Sequence, residues 1–171
     1  MGDPEIRDKI PYVGVGCIVV RDGKLLLVCN QSGFWSTPGG HLEFGEAPDV
    51  CAAREALEET GITVSNVRFV AITNDVLAEL DKHYLTVWMC GDADHAAQIC
   101  DTAEITDLGW FSPDALPKPL HIYFENLVVV ARLWQSHVEL RDECGVHALS
   151  ATVEWFIQRS SIDPNTAKQA V

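Results

Sequence analysis

Three glutamates crowd one face of a short helical segment, and no other feature constrains the fold of this chain as tightly. Ala47 to Thr60 reads as a helix, with Pro48 suited to its first turn and Gly61 placed to end it. Glu55, Glu58 and Glu59 stand at i, i+3 and i+4, so they share about 100° of the helix circumference. Val50, Ala53 and Leu57 lie roughly opposite and are expected to pack the helix on its apolar side. Like charges this close loosen a helix or raise one another's pKa unless a cation offsets them. From Gly39 to Ile62 there are six acids (Glu43, Glu46, Asp49, Glu55, Glu58, Glu59) against Arg54 alone, a net −5. Oxygen donors of this kind suit the hard divalent ions Mg2+ or Mn2+, completed by water and substrate phosphate. A bare Glu-x-x-Glu-Glu, taken alone, is more simply a solvated acidic face.

The flanking sequence supplies strands for that helix to pack on. Tyr12–Val20 and Lys24–Asn30 are apolar, β-branched runs joined by Arg21-Asp22-Gly23, a hairpin signal. Gln31 to Gly45 is rich in turn residues and reads as a loop. Ile62–Asn74, Tyr84–Gly91 and Leu108–Phe111 read as further strands. Pro117-Lys118-Pro119 introduces a second helix, about 120–136, whose apolar face holds Leu120, Phe124, Leu127, Val128, Ala131 and Trp134. A weaker helical pattern (Val146, Leu149, Val153, Phe156, Ile157) follows in the tail. The fold class is α+β, a mixed β-sheet sandwiched by helices.

At 171 residues and 47% apolar the chain suits a single domain with a real core. Twelve Lys and Arg against 25 Asp and Glu give a net charge of −13. That charge repels polymeric nucleic acid and anionic membranes, while admitting a small phosphorylated ligand behind a cation. Six cysteines show neither a C-x-x-C pair nor zinc spacing and sit largely in apolar runs, as reduced core thiols do. The N-terminal residues lack a secretory apolar segment and the longest apolar runs are shorter than a membrane span, so a cytoplasmic location is expected.

The wider spacing decides between the readings of the acidic face. From Gly40 there are five residues to Glu46, seven more to Arg54, then Glu55-Ala56-Leu57-Glu58-Glu59-Thr60-Gly61-Ile62. This resembles the complete signature of the Nudix hydrolases, with every specified position matched over 23 residues. Gly14-Val15-Gly16, Pro38 to Glu46, His83-Tyr84 and Leu116 to Leu120 resemble the MutT-like branch that hydrolyses nucleoside triphosphates. The resemblance implies an α/β/α sandwich over residues 1–136, with 137–171 an extension packed on the same domain. It implies metal-dependent cleavage of a nucleoside diphosphate linked to a further group, a triphosphate giving monophosphate and pyrophosphate. By position, Glu55, Glu58, Glu59 and the Gly39 carbonyl are the metal ligands, with Mg2+ the expected ion. Arg54 orients the carboxylates, Glu46 supports the loop or the outer metal shell, and Glu55 or a loop carboxylate is the general base.

Other residues carry less. Gly109 stands before Trp110 where relatives often place a catalytic Glu, which makes Glu104 the substitute candidate beside the reading of a solvated loop acid. Gly14, Gly40, His41 and Tyr84 form the substrate-facing set, with core packing the simpler reading of Tyr84 and Trp35. His83 is read as a strand residue and Cys51 as core. Cys29-Asn30-Gln31 lacks the cations that relatives carry there, and Thr37 replaces their Leu. The base and phosphate tail are therefore expected to be held differently, with no preference for a particular purine. ADP-ribose or another nucleotide conjugate is the alternative substrate, a non-catalytic nucleotide-binding module a further alternative, and a homodimer is left open.

Overall fold

A computed structural model of the chain describes residues 10–77, 80–93 and 95–128. Strands β1 (Tyr12–Arg21) and β2 (Lys24–Asn30) are joined by Asp22-Gly23. Both linking residues have positive φ, 49° and 74°, the pair of left-handed conformations a two-residue hairpin needs. Trp35–Ser36 forms β3 against β2, and Gly39–His41 forms β4 against β1. Both lie in the stretch that composition assigns to loop. Strands of two or three residues exist through their long neighbours rather than through intrinsic preference, so turn-rich composition conceals them.

Helix α1 (Pro48–Thr60) starts with Pro48 in its first turn and ends on Gly61, whose φ of 68° lets its N–H reach the Leu57 carbonyl at 2.8 Å. Then follow β5 (Val64–Leu77), β6 (Lys82–Ala93), β7 (Ile105–Phe111) and a helix, α2, described over 122–128. The sheet runs β3-β2-β1-β6-β5, with β4 also on β1 and β7 also on β2. β1 and β6 are parallel and the other pairs antiparallel, so the sheet is mixed.

Alternation along β1 feeds two cores. Val15, Cys17 and Val19 face Cys51, Ala52 and Ala56 of α1, while Ile18 joins Trp88, Phe124, Leu127 and Val128 on the other side. The result is an α/β/α sandwich. Ala131, Trp134, the third helical pattern and the extension 137–171 lie outside the described residues. Cys17, Cys29, Cys51 and Cys90 are buried and outside any disulfide among the described residues, and burial pushes the Cys17 thiol up to about 12. No helix among the described residues is long and apolar enough to cross a membrane.

The packing face of α1 departs from expectation. Val50 and Leu57 are 55% and 50% exposed, whereas Cys51, Ala52, Ala56, Glu59 and Thr60 are buried. Small residues let the helix backbone lie close to the sheet. That close approach turns the glutamate edge inward toward β4 and leaves the larger apolar residues outside.

One acid is buried far from that helix. Asp75 on β5 is 1% exposed. Its carboxylate accepts from Thr73 and Thr86 hydroxyls at 2.8 and 2.6 Å and from the Asn126 amide at 2.8 Å, tying β5, β6 and α2 together. Thr73 in turn accepts from Trp88 Nε1 at 2.9 Å. Asp75→Ala strips three donors of their acceptor and is expected to cost about 3 kcal/mol. A lower urea midpoint at unchanged m-value would register it; a cost under about 1 kcal/mol would mean these donors find other partners.

Candidate active site

Arg54 is the hub where α1 meets β4 and the loop after it. Its Nε and Nη2 grip Glu46 Oε1 and Oε2 at 2.8 and 3.0 Å, a two-pronged pair. Its Nη1 donates to Glu55 Oε1 at 2.8 Å and to Glu58 Oε2 at 3.0 Å, and Nη2 also reaches the His41 carbonyl at 3.3 Å. Glu46 Oε2 accepts the Glu43 N–H as well, closing the loop. The Arg54 hydrogen bonds hold the Glu46 carboxyl down at about 2.

The other two acids are less well compensated. Glu59 is 6% exposed and its Oε2 accepts the Gly39 N–H at 3.2 Å. Burial pushes its carboxyl up to about 8; the Gly39 bond opposes this, and the charges of Glu55, Glu104 and Asp101 add to it. Burial also raises Glu55, against the pull of Arg54 and with help from Glu58 and Glu104. Gly40 admits the Glu55 side chain, and Gly39 admits the β1 backbone beside it. A Cβ on Gly40 would strike the Glu55 carboxylate, and one on Gly39 would strike the Val15 carbonyl. Among the described residues no three His, Cys, Asp or Glu side chains are placed to hold an ion together. Arg54 bridges Glu55 to exposed Glu58, while Glu59 turns to β4. The donors themselves fit a hard cation: they are carboxylate oxygens, Glu59 buried, Glu55 half-buried and Glu58 exposed, with one guanidinium among them.

A cavity of about 280 Å³ opens beside this edge and brings together residues far apart in sequence. Gly39, Gly40, His41, Glu59 and Glu104 border it at the acidic side. Glu104 sits in the turn before β7, where Asp101 Oδ1 accepts the Ala103 and Glu104 N–H groups at 2.8 and 3.2 Å. Gly14, Gly16, Tyr84, Thr86 and Trp88 form the sheet wall, through the parallel register Gly14↔Thr86 and Gly16↔Trp88. Rings edge it: Tyr84 lies 5.0 Å from Tyr123 and 5.6 Å from His41, and His121 lies 4.5 Å from Tyr123.

This arrangement, a loop–helix of acids clamped by one arginine beside a glycine-floored cavity, has known counterparts. The NUDIX domain family matches residues 11–133. The chain belongs to the Nudix family. It is a Nudix hydrolase, similar to "Phosphatase NudJ" of Shigella boydii, 29% identical over 74% of this chain and 84% of that one. It is also similar to "NAD-capped RNA hydrolase NudC" of Vibrio atlanticus, 34% identical over 59% of this chain and 38% of that one. Among solved structures it resembles a MutT NUDIX hydrolase from Burkholderia pseudomallei. That likeness has a TM-score of 0.65 and 27% identity, and covers 68% of this chain and 94% of that one.

Within this Nudix site, Gly16 is sterically required because a Cβ would run into the Trp88 ring, while Gly14 has room for one. Tyr84 is both buried and on the cavity wall. Trp35 is core, packed edge-on to Phe111 at 5.1 Å. His83 is held by Asn74 at 2.6 Å on its strand, and Cys51 is fully buried. The reading from sequence missed Thr86, Trp88, His121 and Tyr123. Alternation of Tyr84, Thr86 and Trp88 marks one face of β6, but nothing in the sequence pairs that face with Gly14 and Gly16.

Glu59 links this site to stability. In the fold its carboxyl keeps its proton up to about 8, against an ordinary value of 4.5. The folded chain therefore holds more protons than the unfolded chain between those values. This contribution to stability is full below the ordinary value and is lost as pH rises through the folded one. In EDTA, Tm is expected to fall from about pH 5 to about pH 8, and Glu59→Gln to flatten that fall. Identical slopes in both proteins would exclude Glu59 as the source.

Proposed function

We propose that this Nudix hydrolase cleaves a nucleoside triphosphate to monophosphate and pyrophosphate with the help of Mg2+, for which Mn2+ can substitute, modified nucleotides being among its substrates. The observation that carries this reading is the placing of Glu55 and Glu59 against the Gly39-Gly40 backbone, at the edge of a ring-bordered cavity. Glu55, Glu58, Glu59 and the Gly39 carbonyl would hold the ion. When bound, a divalent cation screens phosphate charge, lowers the pKa of a coordinated water and stabilises the leaving oxygen. Arg54 keeps Glu55 and Glu58 turned to one another and anchors them to Glu46 and the His41 carbonyl. Glu55 or Glu104 accepts the proton of the attacking water; Glu104 borders the cavity and its charge reaches both Glu55 and Glu59. Gly14, Gly40, His41 and Tyr84 contact the nucleotide, the rings offering a stacking surface.

The similar NAD-capped RNA hydrolase supports a second reading, cleavage of a nucleotide conjugate such as ADP-ribose. Residues 1–136 then act as the hydrolase domain, with 137–171 as an extension of the same unit. The chain works on free nucleotides in the cytoplasm, and its net charge of −13 disfavours polymeric nucleic acid and membranes as partners.

One screen separates these readings: nucleoside triphosphates, ADP-ribose and dinucleotides with Mg2+, scored by phosphate or pyrophosphate release. Triphosphate turnover abolished by EDTA and restored by Mg2+ is the expected result. Glu58→Gln is expected to lower kcat by about 10²-fold or more. Turnover of conjugates alone would favour the second reading, and no turnover of any nucleotide by the natural chain would remove catalysis.

A further inference from the structure

The connection between β3 and β4 carries a side chain that the fold leaves without a partner. Thr37 is 4% exposed, and among the described residues its Oγ1 is a buried side-chain polar atom with no hydrogen-bond partner. Buried hydroxyls are ordinarily satisfied, because leaving one unpaired forfeits its hydration without replacement. This one borders the cavity. It lies beside Gly16, where a Cβ would stand 3.2 Å from Thr37 Oγ1 and inside the Trp88 ring.

The groups around it are already committed. Trp88 Nε1 donates to Thr73 at 2.9 Å, and the Thr86 hydroxyl donates to Asp75 at 2.6 Å. The Asp75 network thus holds the Trp88 ring in place, and the glycine at position 16 lets that ring lie against β1 close to the Thr37 hydroxyl. Much of the surrounding wall is flat and uncharged: the Trp88 and Tyr84 rings and the Gly14 and Gly16 backbone. The carboxylates of Glu59 and Glu104 border the same cavity and suit the cation-bound phosphate end of a nucleotide. A planar heteroaromatic ring fits the remaining wall, and its edge carries in-plane donors and acceptors. A hydroxyl that rotates freely can meet either.

We propose that Thr37 is a specificity-determining residue whose hydroxyl hydrogen-bonds the in-plane edge of the substrate's nucleobase. This rests on the nucleotide reading above. It assigns to substrate the bond that the described residues do not supply to Thr37.

The test compares the full chain with Thr37→Val, which keeps the shape and removes the hydroxyl, and Thr37→Ser, which keeps the hydroxyl. Three quantities are measured. They are kcat/KM for nucleoside triphosphates relative to ribose 5-triphosphate, which has no base; affinity for nucleoside 5′-monophosphates in EDTA by calorimetry; and Tm. Thr37→Val is expected to lower the kcat/KM ratio for the preferred base about tenfold and monophosphate affinity by a similar factor. Thr37→Ser should restore both to within about twofold. Because the hydroxyl has no partner inside the fold, Tm of Thr37→Val should hold or rise.

An unchanged ratio, or an equal loss on ribose 5-triphosphate, would overturn the proposal. So would a drop in Tm with Thr37→Val, which would mark the hydroxyl as bonded within the fold. If the natural chain turns over no nucleotide, the catalytic reading fails, and monophosphate affinity still decides the role of Thr37. If it binds no monophosphate either, both fall.

Discussion

A single guanidinium gathers the acidic half of the site. Arg54 binds Glu46 with two prongs, reaches Glu55 and Glu58 from one nitrogen, and bonds the backbone at His41. The bonds to Glu46 and to the His41 carbonyl tie α1 to the end of β4 and the segment after it, so the position of the helix and the course of the loop are settled together. Without that cation, Glu55, Glu58 and Glu59 would repel one another across a turn and a half of helix, with Glu43, Glu46 and Asp49 adding to the negative charge of the same segment. The cation does not satisfy all of them. Glu59 lies on the buried side of the helix, and that burial, which the Gly39 N–H only partly offsets, is why its proton is held so firmly.

The cavity depends on a different constraint, the parallel pairing of β1 with β6. That register sets Gly14 beside Thr86 and Gly16 beside Trp88, so two missing side chains on one strand make room beside large ones on the next. The Asp75 network fixes the far side by holding Thr73, Thr86 and Asn126. A polar cluster buried on the same face of the sheet therefore stiffens the cavity wall, and among the described residues Thr37 keeps a buried hydroxyl without a partner.

Much of the local structure was legible beforehand because it follows from near neighbours. The Asp22-Gly23 hairpin, the start of α1 at Pro48 and its end at Gly61 are set by backbone preferences of single residues. β3 and β4 were not legible, since their pairing partners supply the order that their composition lacks. The packing face of α1 was misread for a related reason. Apolar character pointed to Val50 and Leu57, but close approach to the sheet selected Ala52 and Ala56. Size at the contact outweighed hydrophobicity.

By itself the sequence determined the spacing from Gly40 to Ile62, hence the family, and the set of acids proposed above to hold the ion. Those facts lie within one continuous segment, where helical periodicity already places Glu55, Glu58 and Glu59 on a shared face. Only the tertiary structure decided which way that face turns and which residues stand across from it. Glu104 arrives from the turn before β7, Trp88 from β6, and Tyr123 from α2. Their meeting depends on strand register and helix approach, quantities that a slip of one residue would reverse and that no local pattern encodes.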